Sequence, residues 1–171
     1  MARLRPAASD GEVAERVRGR RGGTLTPLDD MLLHSEPLAD GWNTLMGAVR
    51  SRFELSAQLR ELAICRIAVL NDAAYEWRAH APLLQQAGFS DDQLAALRAG
   101  GDTSVLDAAQ RATLSYTDAM TRDVRVPDAL FAEVLGLLGE RATVELTATV
   151  ASYNMVSRFL VALEVGEDRA G

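Results

Sequence analysis

Lysine is missing altogether: all 18 basic residues of this 171-residue chain are arginine. Without a lysine amine no Schiff base can form, which excludes pyridoxal phosphate enzymes and class I aldolases. A Walker A phosphate loop is excluded for the same reason. Cysteine is almost missing too. With Cys65 alone, neither an intrachain disulfide nor a Cys-x-x-Cys redox centre can exist, which suits a reducing cytoplasm, the expected location. Aromatic residues are only 5% of the chain, so the core must be built from Leu, Val, Ala and Ile, a composition that favours packed helices over a sheet. No apolar run reaches the length of a membrane span, and the N-terminus lacks the hydrophobic stretch of a secretory signal. The net charge of −6, from 18 basic and 24 acidic residues, argues against general nucleic-acid binding. The expected partner is a small molecule, with neither nucleic acid nor membrane.

What the chain does contain is helical punctuation. Residues 1–23, with six Arg and repeated Gly, read as a mobile leader before a single domain over 24–171. Thr26-Pro27 sets a capping hydroxyl before a proline at the first helical position, with Asp29 and Asp30 in the first turn, and a short helix runs to about His34. After Ser35-Glu36-Pro37, Leu38, Trp42, Leu45 and Val49 recur at helical spacing to about Arg52. Ser56 opens a helix whose apolar residues cover nearly its whole circumference. Asn71-Asp72 breaks it. A helix from Ala73 to Ala87 stops at Gly88. Ser90, with Gln93 three residues on, forms a capping box for a helix to about Ala99, ended by Gly100-Gly101. Asp107 caps a helix from Ala108 to about Arg122, Val126-Pro127-Asp128 starts one ending near Gly139, and the last runs from about Arg141 to Leu163. Strand-like alternation is scarce and there is no Asn-Gly hairpin signal. The fold class is all-α, with about seven or eight helices.

The chemistry concentrates in Tyr75-Glu76-Trp77-Arg78-Ala79-His80, with Glu61 fifteen residues before Glu76. Helix positions four apart share a face, so Glu76 and His80 project together. An imidazole beside a carboxylate suits proton transfer near neutral pH. Burying such groups costs several kcal/mol unless they are paired, so the cluster has either a satisfying network or a catalytic use. A faint echo, Glu145-Leu146-Thr147, lies 84 residues after Glu61-Leu62-Ala63, without an equivalent histidine.

Leu59-Arg60-Glu61-Leu62-Ala63-Ile64, Tyr75-Glu76-Trp77-Arg78-Ala79-His80 and Gly88-Phe89-Ser90 together resemble the carboxymuconolactone decarboxylase family, which shares the fold of the alkylhydroperoxidase AhpD. The similarity spans roughly Leu28 to Leu163 and is most specific from Leu59 to Ser90. The resemblance implies an AhpD-like helical domain and a symmetric homo-oligomer, a trimer or hexamer. AhpD-like peroxidases carry Cys-x-x-Cys, a His four residues after the second Cys and a Glu fifteen before it. Glu61 and His80 match the Glu and His, whereas the two cysteine positions hold Ala73 and Glu76. That departure disfavours AhpD-type alkylhydroperoxidase or peroxiredoxin activity, since no thiolate pair is present to attack peroxide and be recycled.

The decarboxylase-like branch implies a lyase or isomerase that works without metal or organic cofactor on a small carboxylated or cyclic substrate. In that reading His80, Glu61 and Glu76 are the catalytic residues: His80 moves the proton and Glu61 orients it or shares its proton, or Glu76 is instead the acid or base, with Tyr75 as a hydrogen-bond donor. Tyr75, Trp77 and Arg66 are the candidate substrate-binding residues, Arg66 as a bidentate partner of a carboxylate. Each has a plainer reading. Glu61 can pair with Arg60 or Arg66, Arg66 can sit in a structural salt bridge, and Tyr75 and Trp77 can be core or subunit-interface anchors. A metal would find two ligands in Glu76 and His80 and a third in His34, but nothing else has ligand spacing, and no metal is expected. A non-catalytic oligomeric scaffold is the remaining alternative. The lyase reading predicts a pocket bordered by His80 and at least one of the two carboxylates, whereas the scaffold reading predicts no accessible cavity beside the imidazole.

Overall fold

In a computed structural model of the chain, residues 2–8, 10–99 and 103–166 are described. Among them there are eight helices and no strand: α1 (Glu12–Arg20), α2 (Pro27–Leu32), α3 (Glu36–Ser51), α4 (Ala57–Leu70), α5 (Ala74–Gln86), α6 (Asp91–Ala99), α7 (Ala108–Arg122) and α8 (Asp128–Ala162). They fall into two compact units, one of residues 1–52 with 160–171, the other of residues 53–159. None of the described helices is long and apolar enough to cross a membrane.

The first unit holds α1 to α3. Thr26 caps α2 in a reciprocal box with Asp29, and the buried Asp29 carboxylate also receives Arg21 at 3.0 Å. The segment read as a mobile leader contains α1, whose Ala14 and Val17 are buried. Two small apolar residues three apart give it an inward stripe, and Arg16 reaches Asp40 on α3 at 2.8 Å. The density of arginine around that short stripe concealed it.

The second unit is built around α4. Nine of its residues, Leu59 and the unbroken run Glu61 to Ala68, are buried, so this helix has no solvent face to speak of. It packs against α5, α6 and α7. Ser56 caps it, accepting from the Leu59 N–H. It ends where Asp72 takes a left-handed φ of 51° and the Ala73 N–H reaches back to the Ala68 carbonyl at 2.8 Å. Asn71 then donates to Ser157 Oγ at 2.6 Å and to Asn154 Oδ1, while Asn154 Nδ2 donates to Thr121 Oγ1 at 2.9 Å. These two amides, of which Asn154 is buried, pin the ends of α4 and α7 to α8.

The capping boxes at Ser90 and Asp107 are both formed. Gly100-Gly101, expected to end α6, lies outside the described residues. Gly139 breaks α8 with φ 78°, and no atom would obstruct a side chain there, so the left-handed backbone alone explains the glycine. The two helices expected from the sequence do meet at this point. The echo residue Glu145 is structural. It accepts the Leu55 N–H at 2.8 Å and pairs with Arg141 at 3.1 Å.

Candidate active site

Glu61 stands near the start of α4, at the head of the run of buried residues from 61 to 68. Glu76 and His80 stand one turn apart on α5, and both face α4. His80 Nδ1 lies 2.6 Å from Glu61 Oε2, and His80 Nε2 lies 3.4 Å from Glu76 Oε2. One imidazole thus sits between carboxylates from two helices. All three side chains are buried. Arg60 Nε donates to the other Glu61 oxygen at 3.1 Å. The ring of Tyr153, from α8, meets the imidazole edge-on at a centroid distance of 5.2 Å and 87°, an arrangement that aromatic rings favour.

Burial works to raise the Glu61 pKa, but the His80 hydrogen bond and charge, together with Arg60, outweigh it and hold this carboxyl below its ordinary value. Glu61 is therefore an anion in place, and the proton of the 2.6 Å contact resides on Nδ1. Two carboxyl groups, Glu61 and Glu76, and one guanidinium, Arg60, are thus gathered around a single imidazole.

An open cavity of about 250 Å³ reaches this cluster. It is lined by Ala57, Arg60, Glu61, Leu83, Gln86 and Ala87. The expectation that His80 borders the pocket is corrected here: the carboxylate at the cavity is Glu61, and the imidazole stands behind it. The reason is geometric, since His80 is on the α5 face turned toward α4, whereas Glu61, in the first turns of α4, lines the cavity together with Arg60.

The other sequence-predicted residues are elsewhere. Arg66 is held by Asp118, Nε to Oδ1 and Nη2 to Oδ2, both at 2.6 Å, and lines a different cavity. Trp77 borders a third, beside Arg78 and Arg98, with the Arg98 guanidinium 5.6 Å from the ring centroid. Tyr75 is half-buried on α5. His34 is in the first unit, its Nε2 2.9 Å from the Arg5 carbonyl. Among the described residues no group of three or more His, Cys, Asp and Glu side chains is placed to hold a metal.

Cys65 is fully buried, and burial, with Glu61 and Glu76 adding to it, pushes its thiol well above the ordinary range. It is a neutral core residue and no nucleophile. Two contributors to the site were not singled out by the sequence. Arg60 enters the sequence reading only as a partner of Glu61, and Tyr153 does not enter it; its one signal is helical spacing with Leu146, Val150, Val156 and Leu160.

Residues 36–119 match the family model for the carboxymuconolactone decarboxylase family. No curated protein matches the chain by sequence. Among solved structures, a protein of unknown function from Agrobacterium tumefaciens, proposed to be the antioxidant defence protein AhpD, superposes with a TM-score of 0.73 at 19% identity, covering 81% of this chain and 95% of its own. An uncharacterised peroxidase-related protein from Silicibacter sp. TM1040 gives 0.78 at 16% identity over 98% of this chain and 89% of its own. The debrominase Bmp8, as a cysteine-to-alanine variant in complex with 2,3,4-tribromopyrrole, gives 0.76 at 20% identity over 96% and 91%. At such identities the likeness establishes the AhpD-like fold and leaves the reaction open. The segment 36–119, which carries Glu61, Glu76 and His80, belongs to the carboxymuconolactone decarboxylase family.

Proposed function

We propose that this chain is a cofactor-free lyase or isomerase that moves a proton on a small carboxylated or cyclic substrate. The observation that supports it is the imidazole of His80 clamped between two buried carboxylates, one of which opens onto a cavity. Glu61 is the group that meets the substrate. In decarboxylation a protonated His80 passes its Nδ1 proton to Glu61, which gives it to the carbanion left by departing carbon dioxide, and the ring, keeping its Nε2 proton, is reprotonated from water; in isomerisation Glu61 takes a proton from one carbon of the substrate and returns it to another. Glu76 steadies the imidazolium. Arg60, at the same cavity wall, is placed to hold a substrate carboxylate or the developing oxyanion. The family match supports this reaction class, and the Ala73 and Glu76 replacements at the cysteine positions, with a buried Cys65, weigh against peroxidase chemistry.

The reading includes a homo-oligomer, trimer or hexamer. Leu83, on the cavity wall, is 41% exposed, and a second copy of the chain covering it would shield the open site from water. The rival reading is a scaffold whose cluster only satisfies itself, and the burial of His80 favours it.

Turnover distinguishes the two. Carboxylated lactones and β-keto acids are screened for carbon dioxide release or isomerisation, with Glu61→Gln as control. The expected result is turnover by the wild type and a loss of about 10²–10⁴-fold in the variant. A wild type inert on every acid of these classes, or a variant as active as the wild type, overturns the proposal.

A further inference from the structure

Of the six residues lining the cavity at Glu61, three are apolar, Ala57, Leu83 and Ala87, and only Arg60 and Glu61 are charged. Those two are bonded to each other, Arg60 Nε giving its N–H to Glu61 Oε1 at 3.1 Å. The guanidinium and the carboxylate offset one another, so the wall holds no charge in excess for an anion. The layer behind it adds none, because the His80 imidazole has a carboxyl group on either side, 2.6 Å and 3.4 Å away. A carboxylate that enters can reach Arg60, but only beside the Glu61 anion, and two like charges at that range repel.

An uncharged oxygen meets no such repulsion. A guanidinium has about five N–H donors, and Arg60 uses one on Glu61. Its Nη groups make no hydrogen bond to another described residue. Each Glu61 oxygen accepts one hydrogen bond, from Arg60 and from His80, and keeps a lone pair. A donor for an oxygen thus stands next to a base. Burial pushes the Glu61 carboxyl up, but the contacts with His80 and Arg60 hold it below its ordinary value. A base so weak removes only a proton that the substrate itself makes acidic, such as one on a carbon next to a carbonyl.

We propose that this cavity takes an uncharged cyclic carbonyl compound, with its oxygen on the Arg60 Nη groups and a C–H beside the carbonyl against Glu61. This rests on the proton-transfer reading above and selects between the carboxylated and the cyclic substrates which that reading allows. A carboxylated ring is admitted, but more weakly. At about 250 Å³ the cavity is smaller than the roughly 300–1,000 Å³ of sites for drug-sized ligands, so the substrate is a single ring of about six atoms. For an unconjugated cyclic enone the step balances without a further reactant. Glu61 takes the hydrogen between carbonyl and double bond, and the electron pair of that C–H bond spreads onto the carbonyl oxygen beside Arg60. The same proton returns at the far end of the former double bond. The new double bond lies next to the carbonyl, and the Glu61 carboxylate is restored.

The test is NMR titration of the full chain with cyclohexanone and with cyclohexanecarboxylate, beside an ultraviolet assay of the conversion of cyclohex-3-enone to cyclohex-2-enone. Cyclohexanone is expected to bind at least about tenfold tighter than the carboxylate, with amide shifts centred on Ala57, Leu83 and Ala87. Glu61→Gln removes the charge that offsets Arg60, so in this variant the ketone-to-carboxylate ratio is expected to fall by at least about tenfold, and isomerisation is lost. A wild type that binds the carboxylate as tightly as the ketone overturns the proposal. So does an unchanged ratio in folded Glu61→Gln, or a shift map centred on another part of the chain. If that variant does not fold, the ratio and the shift map of the wild type decide alone. Isomerisation without preference for the ketone overturns the uncharged substrate and leaves proton transfer standing. Preference for the ketone in a chain inert on cyclohex-3-enone and on every acid of the turnover screen overturns proton transfer and leaves the ligand class standing.

Discussion

The Nδ1 of His80 and the Oε2 of Glu61 are 2.6 Å apart, although 19 residues and the α4–α5 turn separate them in the chain. Both side chains are buried, so the contact is charge-assisted and poorly screened. Removing either partner strands the other. His80→Ala leaves Glu61 and Glu76 facing each other without the imidazole, and a cost of about 3–5 kcal/mol to stability is expected from breaking such a buried pair. Urea unfolding of the wild type and the variant measures it. A cost below about 1 kcal/mol would show that the pair contributes no more than a surface ion pair.

The pH dependence follows from the same contact. The folded-state pKa of Glu61 lies below its ordinary value of 4.5, so this carboxylate binds its proton more weakly folded than unfolded. Its contribution to stability is therefore fully present above the unfolded pKa and is lost as the pH falls through the folded one. The stability difference between wild type and Glu61→Gln is expected to stay level from pH 7 down to about pH 5 and then to shrink on further acidification. Unfolding curves across that range check it. A difference that instead grew below about pH 4 would reverse the sign argued here.

Cys65 gives a third expectation. Its thiol is fully buried and held protonated by burial and by the two acidic neighbours. In native protein it should react with an aromatic disulfide reagent only as fast as the fold opens, and at the full rate of a free thiol once unfolded. Cys65→Ser should leave turnover of a carboxylated substrate unchanged. Fast, stoichiometric labelling of the native chain would contradict the burial of Cys65 and with it one of the observations that weigh against peroxidase chemistry.

How far the sequence disclosed this arrangement depended on how local each signal was. The caps at Thr26, Ser56 and Asp107, the break at Asp72 and the kink at Gly139 each rest on one or two residues with a distinct backbone preference, and all were legible. The Glu76–His80 relation was legible because i,i+4 spacing fixes a shared face. The meeting of Glu61 with His80 was available only through the family resemblance, because nothing in periodicity says which turn of α4 faces which turn of α5. Tyr153 approaches His80 across 73 residues of chain, and Arg66 finds Asp118 across 52. Such long-range pairings are decided by packing, so the sequence could show that these residues face inward but not toward what. Helix α1 was hidden for a different reason: its inward face is only Ala14 and Val17, too short a stripe to stand out among six arginines.

The Arg66–Asp118 pair offers the last prediction, because Asp118 holds two arginines in different surroundings. Arg66 is 11% exposed at its side chain and makes a two-pronged contact, whereas Arg122 is 58% exposed and makes a single contact at 3.2 Å. Solvent screens the second pair, so Arg122→Ala should cost at most about 1 kcal/mol. Asp118→Ala takes the carboxylate from both, and the buried guanidinium of Arg66 then lacks its anionic partner. A loss of about 2–4 kcal/mol is expected, discounted from the full buried-pair figure because Asp118 itself is 23% exposed. Replacing both ends with apolar residues, Arg66→Met with Asp118→Leu, removes the stranded charge and should recover part of that loss. Denaturant unfolding of these three variants and of Arg66→Met alone tests this directly. If the double variant were less stable than Asp118→Ala by more than the single Arg66→Met cost, the pair would be stabilising beyond its own charges, and the cavity wall it forms would have to be the reason.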